Sequence, residues 1–236
     1  MILLLREQVR GYRHIFKLDP EKPISESQLM ALCNSGTDAI IVGGTLGITR
    51  ANVSKLLSRL RAVNCQLPLI HEVSTVEAIV NGFDFYLVPL VLNARNPEWL
   101  FAAHHKAIKE LDELIDWKRI LLEGYIVLNQ DSSVAQLTES QTELSLEDIC
   151  AYAAIADQML QLPILYIEYS GSYGDVDLMR ELKCVVNNSQ IFYGGGINTS
   201  ERARIMSRYA DTIVVGNIIY QDFAAALATV PRQKLL

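Results

Sequence analysis

Along this chain, short apolar runs rich in β-branched and aromatic residues alternate with longer stretches whose apolar positions recur every three or four residues. The short runs predict strands at 12–18, 39–42, 69–73, 85–88, 125–128, 164–169, 190–193 and 212–215. Most of them are apolar almost throughout, as expected of parallel strands covered on both faces. The longer stretches, at 25–34, 52–62, 98–113, 146–160, 175–186, 200–208 and 221–228, predict helices that turn an apolar face to the sheet. Boundary signals agree. Ser145 with Asp148 makes a capping box, Asn198 and Thr199 lead into Ser200, Gly36 follows the first helix, and Pro68 and Pro163 stand just ahead of strands.

Two places break the alternation. Residues 74–84 leave too little chain for a full crossover helix, so the third helix is expected to be reduced or missing. Residues 129–143 are polar and show no apolar period, which predicts a mobile loop or lid. Eight strands with about seven helices in 236 residues predict an α/β protein, a single (β/α)8 TIM barrel spanning 1–236. An open doubly wound sheet would more often carry a glycine-rich turn after its first strand, where this chain has Lys17-Leu18-Asp19-Pro20.

Composition narrows the reading. Half of the residues are apolar and 20% are charged, which excludes a disordered chain, a collagen-like fibre and a coiled coil. With 21 Lys and Arg against 27 Asp and Glu, the net charge of −6 argues against nucleic acid as a partner. The apolar opening is broken by Arg6, Glu7 and Arg10 before a signal-peptide core can form, and no run is long enough for a transmembrane segment. Cys33, Cys65, Cys150 and Cys184 have no metal-ligand spacing and read as buried thiols of a reducing compartment. A cytoplasmic location is expected.

A barrel of this type places its chemistry at the carboxyl ends of its strands. There the chain has Gly194, Gly195 and Gly196 after the seventh strand and Gly216-Asn217 after the eighth. Glycines at those points let backbone N–H groups approach a phosphate; their other reading is tight turns alone. Lys17 and Asp19, two apart on the first strand, leave on one face. The lysine can neutralise a phosphate, and the aspartate can hold Mg2+, with Thr45 adding a hydroxyl. Glu168 sits in an otherwise apolar strand, where idle burial is costly, and shares a face with Tyr166 and Ser170. Glu72 is either a second carboxylate of the site or a core partner. His14, His71, His104 and His105 show no metal spacing, and Trp99 and Trp117 are expected in the core.

Taken together, 14–20, Gly36-Thr37-Asp38, Gly43-Gly44-Thr45, 166–171, 193–197 and Val215-Gly216-Asn217 resemble the geranylgeranylglyceryl phosphate synthase family, in its bacterial PcrB branch of heptaprenylglyceryl phosphate synthases. The resemblance spans nearly the whole chain and includes the reduced third helix. It implies a prenyltransferase that joins a polyprenyl diphosphate to sn-glycerol 1-phosphate as an ether. It implies that Lys17, Tyr166, Ile167, Glu168, Tyr169, Ser170, Gly171, Gly196, Gly216 and Asn217 bind glycerol phosphate, and that Asp19 and Thr45 serve Mg2+. Glu168 is the candidate to accept the hydroxyl's proton. Members using the geranylgeranyl chain resemble one another in a large aromatic on the helix after strand four; Ala107 stands there in this chain, which favours a heptaprenyl donor. The resemblance also implies a homodimer. Two other readings stay open: a barrel enzyme acting on a sugar phosphate, and a phosphate-ligand binder without chemistry.

Overall fold

The computed structural model describes residues 2–111, 113 and 115–231. Residue 112 of the segment predicted at 98–113, and both ends of the 1–236 domain, lie outside them. Eight parallel strands close in sequence order into a barrel, β1 pairing with both β2 and β8. They are β1 (His14–Leu18), β2 (Ala39–Val42), β3 (Leu69–Glu72), β4 (Phe85–Val91), β5 (Ile120–Val127), β6 (Ile164–Glu168), β7 (Gln190–Gly194) and β8 (Thr212–Val215). The (β/α)8 expectation holds. Between β3 and β4 there is only a single 3-10 turn, Val76–Ala78, in place of a helix.

The helices are α1 (Ile2–Arg10), α2 (Glu26–Cys33), α3 (Arg50–Ala62), α4 (Ala102–Leu111), α5 (Ser133–Thr138), α6 (Leu146–Ala154), α7 (Val176–Val185), α8 (Ser200–Met206), α9 (Ile218–Gln221) and α10 (Phe223–Ala228). Alternation along each strand divides the core in two. Outward residues such as Phe16, Leu18, Ile40, Ile167 and Val215 pack under the helices, while inward ones such as Ile15, Ile41, Ile70, Tyr166 and Phe192 fill the lumen. In α3, Val53, Leu56, Leu57 and Leu60 form the buried stripe, each worth about 1.5–3 kcal/mol against exposure. Capping boxes at Ser25, Thr49 and Ser145 fix three helix starts.

Several expectations are corrected. α1 was not predicted; it sets Val9 beneath the lumen among Tyr12, Ile15 and Ala39. The polar stretch 129–143 is not a bare loop. Ser132 caps α5, Ala135 and Thr138 are buried, and the Asn93 side-chain amide donates to the Gln141 and Val127 carbonyls at 2.9 and 2.7 Å. The segment 146–160 runs into a wider turn at Ile155–Met159, and 221–228 is divided by Asp222, which caps α10. Trp117 is half exposed rather than in the core. The cysteines are free thiols, but Cys184 is exposed and the others are partly buried.

Candidate active site

The inward faces of the strands deliver an ionisable cluster to the upper lumen. Lys17 of β1 forms an ion pair with Glu72 of β3, and the Tyr125 hydroxyl of β5 donates to the same carboxylate. Tyr125 lies flat on Tyr166 of β6, ring centroids 4.3 Å apart, and the Lys17 ammonium is 5.8 Å from the Tyr166 ring. Burial opposes the charge on Lys17, but Glu72 and Glu168 outweigh it and hold the ammonium above its ordinary pKa. Glu168 accepts the Ser170 backbone N–H. Burial pushes its carboxyl up to about 7, against the pull of Lys17. A carboxylate poised there is suited to take a proton near neutrality.

Above this cluster opens a cavity of about 900 Å³. One side is a glycine cradle. Gly195 and Gly196 have φ of +146° and +55°, and a Cβ on either would overlap the 169–173 segment. The Gly196 and Asn217 backbone N–H groups have no acceptor among the described residues, and both residues face the cavity. Two cations that the sequence reading missed stand by: Lys22 donates to the Asn217 side-chain carbonyl at 2.9 Å, and Arg202 to the Gly196 carbonyl at 3.1 Å. Lys22 could have been found as the only other base on the loop that carries Asp19; Arg202 carries no signal apart from following the cradle.

Across the mouth, Asp19 and Thr45 both line the cavity. The Asp19 carboxylate lies over Gly44, where a Cβ would come within 3.0 Å of Oδ1, and Lys22 is 4.0 Å from Oδ2. No group of three or more His, Cys, Asp or Glu forms a metal-ligand cluster among the described residues. One carboxylate with a hydroxyl lining the same cavity nonetheless suits Mg2+, which usually completes its octahedron with water and substrate phosphate oxygens. The third side is apolar: Val88, Val91, Trp99, Ala103, Ala107 and Leu137. Trp99, expected in the core, belongs to this wall.

Of the residues singled out in the sequence, Lys17, Asp19, Thr45, Ala107, Tyr166, Glu168, Ser170, Gly171, Gly196, Gly216 and Asn217 all line this one cavity. Ile167 and Tyr169 do not. Strand alternation turns Ile167 outward under the helices, and Tyr169 packs beside Tyr193, where it fills the space that Gly195 leaves. His14 is a satisfied core residue, its ring nitrogens 2.8 and 3.0 Å from the Thr37 and Thr229 hydroxyls. His71 stacks on Phe83 outside the lumen, and His104 is held by the Pro89 carbonyl.

The PcrB family model matches residues 7–234. The chain belongs to the PcrB family. Among its relatives, the heptaprenylglyceryl phosphate synthase of Bacillus cereus is 50% identical over 226 residues, covering 96% of this chain and 98% of the relative. That of Geobacillus kaustophilus is 51% identical over 228 residues, covering 97% and 95%. The crystal structure of (S)-3-O-geranylgeranylglyceryl phosphate synthase from Thermoplasma acidophilum, in complex with its substrate sn-glycerol-1-phosphate, superposes with a TM-score of 0.82. It is 25% identical, over 96% of this chain and 95% of that one. This PcrB protein thus shares the barrel of the Thermoplasma enzyme over nearly the whole of both chains.

Proposed function

We propose that this PcrB protein transfers a long prenyl group, heptaprenyl in preference to geranylgeranyl, from its diphosphate to the hydroxyl of sn-glycerol 1-phosphate, forming an ether and releasing diphosphate. The observation that carries the reading is one cavity with three unlike walls: a glycine cradle with Lys17 and Glu168, an aspartate with a hydroxyl, and an apolar side passing Ala107. The names of the relatives and the glycerol phosphate bound by the Thermoplasma protein support it.

In this reading the backbone N–H groups of Gly196 and Asn217, with Lys17, grip the phosphate of glycerol 1-phosphate. Tyr166, Ser170 and Gly171 shape the space for its glycerol. Holding the acceptor this way replaces a collision by a fixed approach, which supplies much of the rate. Glu168 orients the hydroxyl and accepts its proton as the ether bond forms. Asp19 and Thr45 would hold Mg2+, which stabilises charge growing on the departing diphosphate. The prenyl tail runs along the apolar wall, where the small Ala107 leaves room for a long chain.

We further propose a homodimer working in the cytoplasm. Ile155, Met159 and Leu160, after α6, are exposed apolar residues of the kind a second copy covers, and no helix among the described residues is long and apolar enough to cross a membrane. Light scattering on the purified protein reads the dimer directly.

The deciding experiment incubates purified protein with Mg2+, sn-glycerol 1-phosphate or its mirror image, and donors of 20 and 35 carbons, then identifies products by mass spectrometry. The expected outcome is an ether of the 35-carbon donor with the sn-1 isomer, lost with chelator. No ether from any donor, or a clear preference for 20 carbons at equal concentration, overturns the reading.

A further inference from the structure

Lys17 has two claims on it. The proposed function needs its ammonium on the acceptor's phosphate, yet in the unliganded protein it is paired with Glu72. Glu72 is itself buried, and its other oxygen is already taken by the Tyr125 hydroxyl. If Lys17 leaves, one oxygen of a buried carboxylate loses the only partner it has among the described residues, and that loss opposes substrate binding.

A further acid points into the same lumen. Glu123, on the inward face of β5, is fully buried, and neither of its carboxyl oxygens has a hydrogen-bond partner among the described residues. It has no part in the chemistry described above. β1, β3 and β5 are alternate strands, whose inward side chains meet in shared layers of such a barrel. We propose that Glu123 is a positioning residue that keeps its proton and turns it onto Glu72 when Lys17 moves to the glycerol phosphate. The inference rests on the placement of that phosphate given under the proposed function.

An ionised carboxylate with no partner in the lumen is prohibitively costly, so Glu123 is the neutral acid, and a neutral acid is a donor. Burial, and next the charge of Glu72, push its carboxyl well above the ordinary range, while Lys17 and Glu168 act on it more weakly than Glu72 does. Before binding, Glu72 is satisfied by Lys17 and Tyr125 and Glu123 stands idle, which accounts for its orphaned oxygens. After binding, an O–H···O hydrogen bond from Glu123 takes the place of the ammonium on Glu72. No net proton is gained or lost, and the positive charge of Lys17 is transferred from an internal partner to the substrate.

Steady-state kinetics with glycerol 1-phosphate varied at saturating donor test this. Glu123→Leu is expected to raise the KM for glycerol 1-phosphate about tenfold, with kcat and the donor KM within about twofold of wild type. Glu123→Gln, whose amide N–H also donates, stays near wild type. Adding Glu72→Gln to Glu123→Leu removes the charge that holds Lys17 and brings the acceptor KM back. An unchanged acceptor KM in Glu123→Leu, a parallel loss in kcat and in both KM values, or a Glu123→Gln as impaired as Glu123→Leu overturns the proposal.

Should Glu123→Leu not fold, infrared difference spectra of the wild type and of Glu123→Gln decide it, taken above about pH 8, where Glu168 is ionised. The wild type is expected to show a protonated-carboxyl C=O band that moves to lower frequency when glycerol 1-phosphate binds, and Glu123→Gln to lack it. A band that does not move overturns the proposal. Wild-type protein that makes no ether at all instead overturns the proposed function, so the two failures are distinct.

Discussion

The two ends of the barrel use the same kinds of side chain to opposite purposes. At the lower end, carboxylates are spent on the backbone. Asp38 accepts the Arg13 and His14 N–H groups at 2.7 and 2.9 Å, Asp84 that of Leu69 at 2.7 Å, and Asp211 that of Ile191 at 2.9 Å. Asp157 gathers three in a row, from Asn187, Asn188 and Ser189. Each of these aspartates pins the start of a strand or the loop before one. At the upper end Glu72, Glu123 and Glu168 crowd around one lysine and two tyrosines, and one of the three carboxyls has no partner among the described residues. A buried polar group left unmatched by its own protein is costly unless something else completes it. At the lower end these aspartates all find their partners within the chain, whereas the upper end is arranged to be completed by a ligand.

The sharpest way to break that comparison is to remove the proton acceptor. Glu168→Gln keeps the size and the Ser170 contact but cannot take a proton, so kcat should fall about 100- to 10,000-fold with the fold intact by circular dichroism. The same group sets a pH profile. Its carboxyl titrates at about 7 and is needed as the carboxylate, so kcat/KM should rise with pH up to about 7 and level off above it. A variant with near wild-type turnover, or a profile flat from pH 6 to 8, would remove Glu168 from the chemistry.

The next effect concerns the apolar wall. Ala107→Trp fills the channel beside α4 and should lower turnover of the 35-carbon donor about tenfold or more while sparing the 20-carbon one. Equal loss with both donors would mean that the tail takes another route. Smaller again is Gly195→Ala. Its Cβ overlaps Tyr169, so the cradle must open, at a cost of about 1–3 kcal/mol of stability together with a raised KM for glycerol 1-phosphate. A thermally weakened variant with an unaltered KM would leave the cradle with a turn-forming role alone.

How much of this could be read in advance follows the same division. The strands were legible because parallel strands covered on both faces are apolar runs; β2 and β8 have the predicted limits. The start of β5 was not, because Glu123 and Gly124 interrupt its run, and a buried acid is a feature of the site rather than of a strand pattern. The site glycines, Lys17, Asp19 and Glu168 were legible because each is out of place in its local pattern. Ile167 and Tyr169 were carried along as members of a contiguous motif, and alternation removed them. Lys22 and Arg202 are unremarkable as surface bases until the barrel brings them to the cradle. The cap of α5 is written in Ser132, but its anchor, Asn93, lies 39 positions earlier, and a contact between such distant positions has no periodicity to reveal it.

The lower end should answer to stability alone. His14 is held neutral between Thr37 and Thr229, and burial lowers its pKa to about 3. The unfolded chain takes up a proton at this histidine near pH 6.5, whereas the folded protein resists until about 3, so between those values the unfolded state binds more protons. Stability from His14 is therefore whole above about pH 6.5 and declines as the medium is acidified toward 3. His14→Gln removes the titration and loosens the hydroxyl contacts. At pH 8 it should cost about 1–3 kcal/mol in denaturant unfolding with kcat unchanged. Below pH 6 the gap to wild type should narrow, because only the wild type continues to lose stability at this position. The curve of the variant will not be flat, since burial also lowers His71, to about 4, and that residue keeps its own slope. A gap that widens on acidification, or a drop in kcat at pH 8, would show that this histidine reaches the chemistry above it and that the two ends are not independent.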